Sequence, residues 1–382
     1  MTPKVLVIGA GPAGIACAYY LQKANIPYLV VDKSDVIAST WASLYPSLKL
    51  NTTRFFSHLP ERKFPLHYGI FPTGKQYHAY LVNYVHDFGL NIQLGVTVHS
   101  VCKEGDGWRV ISNAGSAWYP AVISATGRFN APITPHIDGM ESFTGNMIHA
   151  HQYLGHEPFI GKRVMVMGNG PSGVDIASEL GRSRGCEAVY LSQRTGVVLR
   201  PRYPYGLPKH VWTMIGEALP RRIGARLIKH IESLKFENLD KIGIRTPKTD
   251  AQSSAAGGTR GRELITAVKR GWVLCVPAPT RFAGDKVILA DGTELAVDVV
   301  IMGTGYRAVL HDYLKLDAPR DKADWLLREG QDPQSIPTGK RQVLGQRGLY
   351  EVGTFYQGKG TMYNINVEAK QAVDEILGQL II

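Results

Sequence analysis

The chain has only four cysteines, Cys17, Cys102, Cys186 and Cys275, and no two of them stand in C-x-x-C spacing. That argues against a disulfide framework and a dithiol active site, and it fits a reducing, cytoplasmic setting. Low-complexity runs are missing as well. With 44% hydrophobic and 20% charged residues over 382 positions, the chain can form one large domain or two ordinary ones. No apolar run reaches membrane length. The stretch open to that reading, Val5 to Leu21, is broken by Gly9, Gly11, Pro12 and Gly14 and lacks a convincing cleavage site. A soluble protein with no membrane partner is therefore expected. The net charge of +11 comes without any basic stripe interleaved with aromatics. Its cations are scattered, with small clusters at Arg182/Arg184, Arg200/Arg202, Arg221/Arg222 and Arg260/Arg262. No nucleic-acid partner is expected. A solvated basic face or attraction of anionic ligands accounts for the charge.

What is present is a repeated strand–turn–helix pattern. Lys4 to Gly9 is a short β-branched run suited to a buried parallel strand; Gly11 to Ala24 has helical spacing, and Tyr28 to Asp32 is a second buried strand. The pattern returns as a strand at Arg163 to Met167, a helix at Pro171 to Arg184 and a strand at Ala188 to Ser192. Two more strands end in small-residue turns: Tyr119 to Ser124 before Ala125-Thr126-Gly127, and Val297 to Met302 before Gly303-Thr304-Gly305. Gly348 to Gly353 reads as a final strand, followed by a loop with Gly358 and Gly360 and a helix from about Asn364 to Leu380. The expected fold is α/β, with two Rossmann-like dinucleotide-binding domains, the second inserted into the first. The expected boundaries are 1–153 for the first part of the outer domain, 154–282 for the insertion and 283–382 for the remainder. The Gly/Ser/Thr-rich patch Gln252 to Thr259 reads as a mobile loop.

The first fingerprint is Gly9-Ala10-Gly11-Pro12-Ala13-Gly14. Its glycines permit a tight turn, close approach to a pyrophosphate, and close packing of helix on strand; the helix N-terminus favours the phosphates. Asp32, eighteen residues past Gly14, ends the next strand, where a carboxylate can bind a ribose hydroxyl. The second fingerprint is Gly168-Asn169-Gly170-Pro171-Ser172-Gly173, and its following strand ends at Ser192-Gln193-Arg194 with no acidic residue. Arginine there suits the 2′-phosphate of NADPH, the alternative being a solvated surface cation; the same two readings hold for Arg200 and Arg202. Two nucleotide sites in one chain suggest a flavin reduced by a nicotinamide.

Between the fingerprints stands Phe143-Thr144-Gly145-Asn146-Met147-Ile148-His149-Ala150-His151-Gln152-Tyr153, the pattern F-x-G-x-x-x-H-x-x-x-Y. Here the sequence resembles the flavin-containing monooxygenases, class B flavoprotein monooxygenases that carry this motif just before the NADPH fingerprint. A connecting loop whose His149 bonds backbone is the plainer alternative. His149 and His151 have no third ligand spaced to make a metal site, and no metal is expected. Ile37-Ala38-Ser39-Thr40-Trp41, Leu48-Lys49-Leu50, Phe71-Pro72-Thr73 and Gly303-Thr304-Gly305-Tyr306 look like the plant YUCCA branch, as does the layout of Lys241 to Val276. That branch oxidatively decarboxylates indole-3-pyruvate. It has His after the Leu-Lys-Leu run, where this chain has Asn51-Thr52-Thr53. Asparagine there is similar to the animal-type enzymes, whose matching side chain faces the flavin and steadies the oxygen adduct.

The resemblance implies an enzyme that uses FAD, NADPH and molecular oxygen to oxygenate a small organic substrate through a flavin C4a-(hydro)peroxide. The substrate is either a soft sulfur or nitrogen nucleophile or a 2-oxo acid. A flavoprotein reductase or oxidase that inserts no oxygen is the alternative. Asn51 is the candidate catalytic residue. Candidate cofactor-binding residues, besides the two fingerprints, are Asp32, Lys33, Trp41, Thr126, Gly127, His149, Ser192, Arg194, Gly305 and Tyr306. By the resemblance, His149 positions NADP. The helix from Asn364 could point its N-terminus at the flavin, or merely pack. Trp41, Tyr356 and Tyr363 are candidate pocket aromatics or ordinary core, and substrate contacts are expected within 201–258 and 355–363. The sequence leaves the oligomeric state open; related enzymes are often dimers.

Overall fold

The computed structural model describes residues 3–247, 259–307, 309–316, 340–354 and 359–380. Tyr356, Gly358 and all of the Gln252–Thr259 patch but Thr259 lie outside them. The chain divides into two compact units. The first comprises Met1–Ser43, Thr52–Ala131 and Tyr306–Ile382; the second comprises Leu44–Asn51 and Pro132–Gly305.

Each unit is built on a five-stranded sheet in which every pairing is parallel. In the first unit the strands lie in the order Leu349–Glu351, Ala121–Ser124, Val5–Ile8, Tyr28–Val31, Ile92–Gln93. The central strands are buried throughout, as their continuous Val/Leu/Ile composition requires of a sheet covered on both faces. Helix Pro12–Lys23 follows the first strand with proline in its first turn, where the missing N–H costs nothing. Helix Gly74–Phe88 opens with a reciprocal capping box between Thr73 and Gln76 and stops at Gly89 in the left-handed region. Expected strand Tyr119–Ser124 is two elements. Gly115–Tyr119 closes an antiparallel sheet with Gly107–Ser112, Pro120 interrupts, and Ala121–Ser124 joins the parallel sheet. The C-terminal helix begins at Thr361, three residues before Asn364.

In the second unit the order is Leu274–Pro277, Ala188–Gln193, Arg163–Met167, Val299–Met302, Asn146–His149. The division between units therefore departs from the expected 154 and 282. Strand Asn146–His149 pairs with Val299–Met302, and Val299–Met302 pairs with the fingerprint strand. The Phe143–Tyr153 motif thus belongs to the second unit, as does the chain up to Gly305. Its fixed positions are packing residues there. Phe143 meets Phe282 edge-on at 5.3 Å, and a Cβ on Gly145 would stand 2.5 Å from the Asp298 carbonyl oxygen. Tyr153 is fully buried between Tyr45 and Phe159. Residues 201–247 resolve into helices Lys209–Ala218 and Arg221–Ser233 with irregular connections.

Candidate functional site

The first site is the turn between Val5–Ile8 and Pro12–Lys23. Gly9 has φ +109°, and a Cβ there would lie 2.6 Å from the Ala125 carbonyl oxygen. A Cβ on Gly14 would lie 1.8 Å from the Gly9 oxygen. Both positions are closed to any side chain. Gly11 is different, since nothing lies within 4 Å of its Cβ direction. That open space at a helix N-terminus is where a phosphate can reach the backbone. Asp32 closes the far side. Its Oδ2 accepts from the Ala10 N–H at 2.7 Å and its Oδ1 from the Ser34 N–H at 2.9 Å. The turn opens into a cleft of about 300 Å³. Gly9, Gly11, Pro12, Ala13, Asp32, Lys33, Trp41, Thr126 and Gly127 all line it, so most of the outer-domain candidates converge on one wall set. Trp41 is held edge-on to Tyr77 at 4.5 Å. Tyr306 packs edge-on against Phe129. Tyr363 does not line the cleft. It meets Phe56, with Lys359 Nζ 4.7 Å above its ring.

The start of the C-terminal helix lines this cleft through Thr361, Met362 and Ile365. Sequence reasoning missed what fixes it. Glu368, on the helix, accepts from buried Arg341 at 2.8 Å and from the Gly353 N–H at 2.6 Å. Gly353, at φ +91°, comes so near Ala13 that a Cβ would stand 2.8 Å from it. A carboxylate on an otherwise apolar face (Ile365, Ala369, Ala372) was the available signal. An acidic group on such a face needs a buried partner.

The second site repeats the first turn. Gly168 has φ +99°, with its Cβ direction 2.5 Å from the Gly303 oxygen; the Gly173 Cβ direction is 1.8 Å from the Gly168 oxygen, and Gly170 again has open space. Pro171 and Ser172 begin the helix Pro171–Ser183. Asn169 is buried, and its Nδ2 is without a hydrogen-bond partner. At the end of the next strand Ser192 is buried while Arg194 is exposed. Gln193 bonds the Gly243 carbonyl and the Arg245 N–H, and Arg245 donates to the Arg194 carbonyl at 3.3 Å. A second guanidinium, not foreseen, therefore stands beside Arg194.

His149 is buried under this site's closing turn. The His151 N–H points at its Nδ1 at 3.3 Å, so Nδ1 accepts and Nε2 carries the proton toward the Gly305 carbonyl at 3.2 Å. Burial, then His151, holds its pKa below the ordinary value. Its Nδ1 also lies 3.0 Å from His151 Nδ1, so the ring is held by the Gly305 carbonyl, the His151 N–H and the His151 ring.

Asn51 ends the Leu44–Asn51 segment, which packs within the second unit. Arg202 donates to Asn51 Oδ1 in a long bond of 3.4 Å. Beside them Tyr45 OH donates to Asp175 Oδ2 at 3.1 Å, and Ser47 bonds Glu179. Burial pushes the Asp175 carboxyl up to about 6, against the pull of Tyr45 and Arg202. Arg202 is thus brought to the residue singled out as catalytic.

The donor sets fit the expected cofactors. Each turn leaves its middle glycine open, and one is followed by a carboxylate, the other by Arg194, whose backbone carbonyl accepts from Arg245.

A family profile described as pyridine nucleotide-disulphide oxidoreductase matches residues 6–249. The thiols do not supply disulphide chemistry. All four cysteines are free, and burial raises Cys275 to about 12. The indole-3-pyruvate monooxygenase YUCCA1 of Oryza sativa subsp. japonica is 31% identical over 93% of this chain and 87% of its own length. A probable indole-3-pyruvate monooxygenase of Arabidopsis thaliana, YUCCA9, is 30% identical over 92% of this chain and 84% of its own. A flavin-containing monooxygenase from Stenotrophomonas maltophilia superposes with a TM-score of 0.71 at 25% identity, covering 99% of this chain and 98% of that one. On these matches the chain belongs to the YUCCA-like flavin monooxygenases within the pyridine nucleotide-disulphide oxidoreductase family, as a flavin-dependent monooxygenase with FAD and NADPH for cofactors.

Proposed function

We propose that the enzyme oxidatively decarboxylates an aromatic 2-oxo acid, indole-3-pyruvate being the first to test. In this reading the two units are Rossmann-like domains, the outer one for FAD and the inserted one for NADPH. When bound, NADPH would supply the hydride and FAD the chemistry that passes it to dioxygen. The open backbone at Gly11 takes the FAD pyrophosphate, and Asp32, fixed by the Ala10 and Ser34 N–H groups, takes the ribose hydroxyls. The open backbone at Gly170 takes the NADPH pyrophosphate. Arg194, with Arg245 beside it, holds the 2′-phosphate. His149 keeps the Gly305 turn in place through its Nε2 contact with the Gly305 carbonyl.

The observation that carries the substrate class is the Arg202–Asn51 contact. A guanidinium within reach of the proposed catalytic amide is a carboxylate receptor, matching an anionic 2-oxo acid better than an amine. Asn51 orients the reacting group by hydrogen bonding, and Arg202 anchors the carboxylate. The balanced reaction is 2-oxo acid plus O2, NADPH and H⁺ giving the shortened carboxylic acid, CO2, NADP⁺ and water.

The test is NADPH turnover under ¹⁸O2 with indole-3-pyruvate or a thioether, followed by mass spectrometry and a peroxide assay. One ¹⁸O atom in indole-3-acetate, with little peroxide, is the expected result. Labelled sulfoxide with no indole-3-acetate would move the enzyme to soft-nucleophile oxygenation. Stoichiometric peroxide with either compound would mean that neither is a substrate.

A further inference from the structure

The two helices after the second site carry surfaces that neither nucleotide site uses. Helix Lys209–Ala218 leaves much of its apolar face exposed. Val211, Met214, Ile215 and Ala218 fall at the i, i+3, i+4, i+7 spacing of one apolar face, yet Met214 is 48% exposed and Ile215 37%, while His210 is buried. The apolar surface continues through Leu219 to Ile223, 57% exposed at the start of the next helix. Helix Arg221–Ser233 adds a stripe of one sign. Arg222, Arg226 and Lys229 sit at i, i+4, i+7, all exposed. Like charges at that spacing weaken a helix, and no acidic residue interrupts the stripe. Glu232 pairs with Lys209 at 3.4 Å.

The two helices form a closely packed hairpin. A Cβ on Gly224 would lie 1.9 Å from the Gly216 oxygen, and one on Gly216 would lie 2.6 Å from Ile228 Cγ1. The backbones touch where both residues are glycine, so the apolar and cationic surfaces are fixed on one element.

We propose that this hairpin docks the enzyme on the anionic face of a lipid bilayer. The apolar tip of Met214, Ile215, Leu219 and Ile223 enters the interface, and Arg222, Arg226 and Lys229 meet the headgroups. The docking is peripheral, since no described helix is long and apolar enough to cross a membrane. Charge selects this occupant over a second copy of the chain. Isologous pairing would bring two cationic stripes together on a protein of net charge +11. The expectation of no membrane partner rested on the absence of a long apolar run, which an interfacial helix does not need.

Full-length, FAD-loaded enzyme would be floated with phosphatidylcholine vesicles and with vesicles containing about one-third phosphatidylserine. Binding to the anionic vesicles should exceed the neutral ones by ~10-fold or more and weaken with added salt. Arg222→Ala and Ile223→Ser should each reduce it by roughly 3- to 10-fold, with bound-flavin absorbance and melting temperature unchanged. No binding to anionic vesicles at low salt overturns the proposal. So does binding that neither substitution alters, which would place the contact elsewhere. A shift from dimer to monomer by light scattering in Ile223→Ser, without vesicle binding in the parent, would assign the face to a second copy instead.

Discussion

The two glycine turns are near copies in backbone and opposites in chemistry. In each, the third glycine lies with its Cβ direction 1.8 Å from the first glycine's oxygen, and the first is pressed against the turn of a neighbouring parallel strand. That neighbour turn is Ala125-Thr126-Gly127 in one unit and Gly303-Thr304-Gly305 in the other, in the same place beside the fingerprint strand. What differs is the end of the next strand. One offers Asp32, tied to two backbone N–H groups; the other offers buried Ser192 and exposed Arg194 with Arg245 alongside. In the proposed reading both turns are phosphate cradles, and the residue that ends the next strand assigns each to its nucleotide.

The largest expected effect breaks one cradle while sparing the other. Gly173→Ala places a methyl into the Gly168 carbonyl and should lower flavin reduction by NADPH more than ~100-fold, leaving the flavin spectrum intact. Gly14→Ala, the same clash in the first turn, should yield protein without bound flavin. If Gly173→Ala lost its flavin and Gly14→Ala kept it, the assignment of the two units would be reversed. Next in size is the cation. Arg194→Ala should raise KM for NADPH by ~10- to 100-fold, the worth of a charge-assisted bond, with kcat and KM for NADH little changed. An equal rise for both nucleotides would remove Arg194 from the 2′-phosphate. Asp32→Asn keeps one acceptor oxygen but removes the charge, and flavin titration of the apoprotein should show about tenfold weaker binding. Unchanged affinity would leave Asp32 as a brace for Ala10 and Ser34 alone.

The turns and their flanking strands were legible because glycine spacing is a demand of the local backbone. The division between units was not, since pairing of Asn146–His149 with Val299–Met302 joins residues about 150 apart. Motif order alone placed Phe143–Tyr153 with the outer unit. Pro120 is the local signal of the break within Tyr119–Ser124, since it cannot donate to a ladder. Arg245, and the place of Arg202 beside Asn51 rather than at the 2′-phosphate, were out of reach for another reason. Each is set beside its neighbour by irregular chain, held by Gln193 in one case and by the Leu44–Asn51 segment in the other. Apolar periodicity was visible in Lys209–Ala218, but periodicity does not say which way a face points, and here it points outward.

The smallest effect sharpens the comparison where the units diverge most. The first unit's helix Pro12–Lys23 has no carboxylate, while Pro171–Ser183 has Asp175 under Tyr45. Burial raises the Asp175 pKa from 3.8 to about 6, so the folded protein holds that proton more tightly than the unfolded chain does. A raised folded pKa means stability that is complete below the unfolded value and is lost as pH rises from about 4 through about 6. Asp175→Asn carries no titrating proton and can still accept from Tyr45. It should flatten that part of the melting-temperature profile and stabilise the protein at pH 7 by roughly 1–2 kcal/mol, a few degrees in Tm. A profile with the same slope in the variant would show that the carboxyl is already solvated. A loss of stability at pH 7 would show that Arg202 and Tyr45 more than offset the cost of burying the charge.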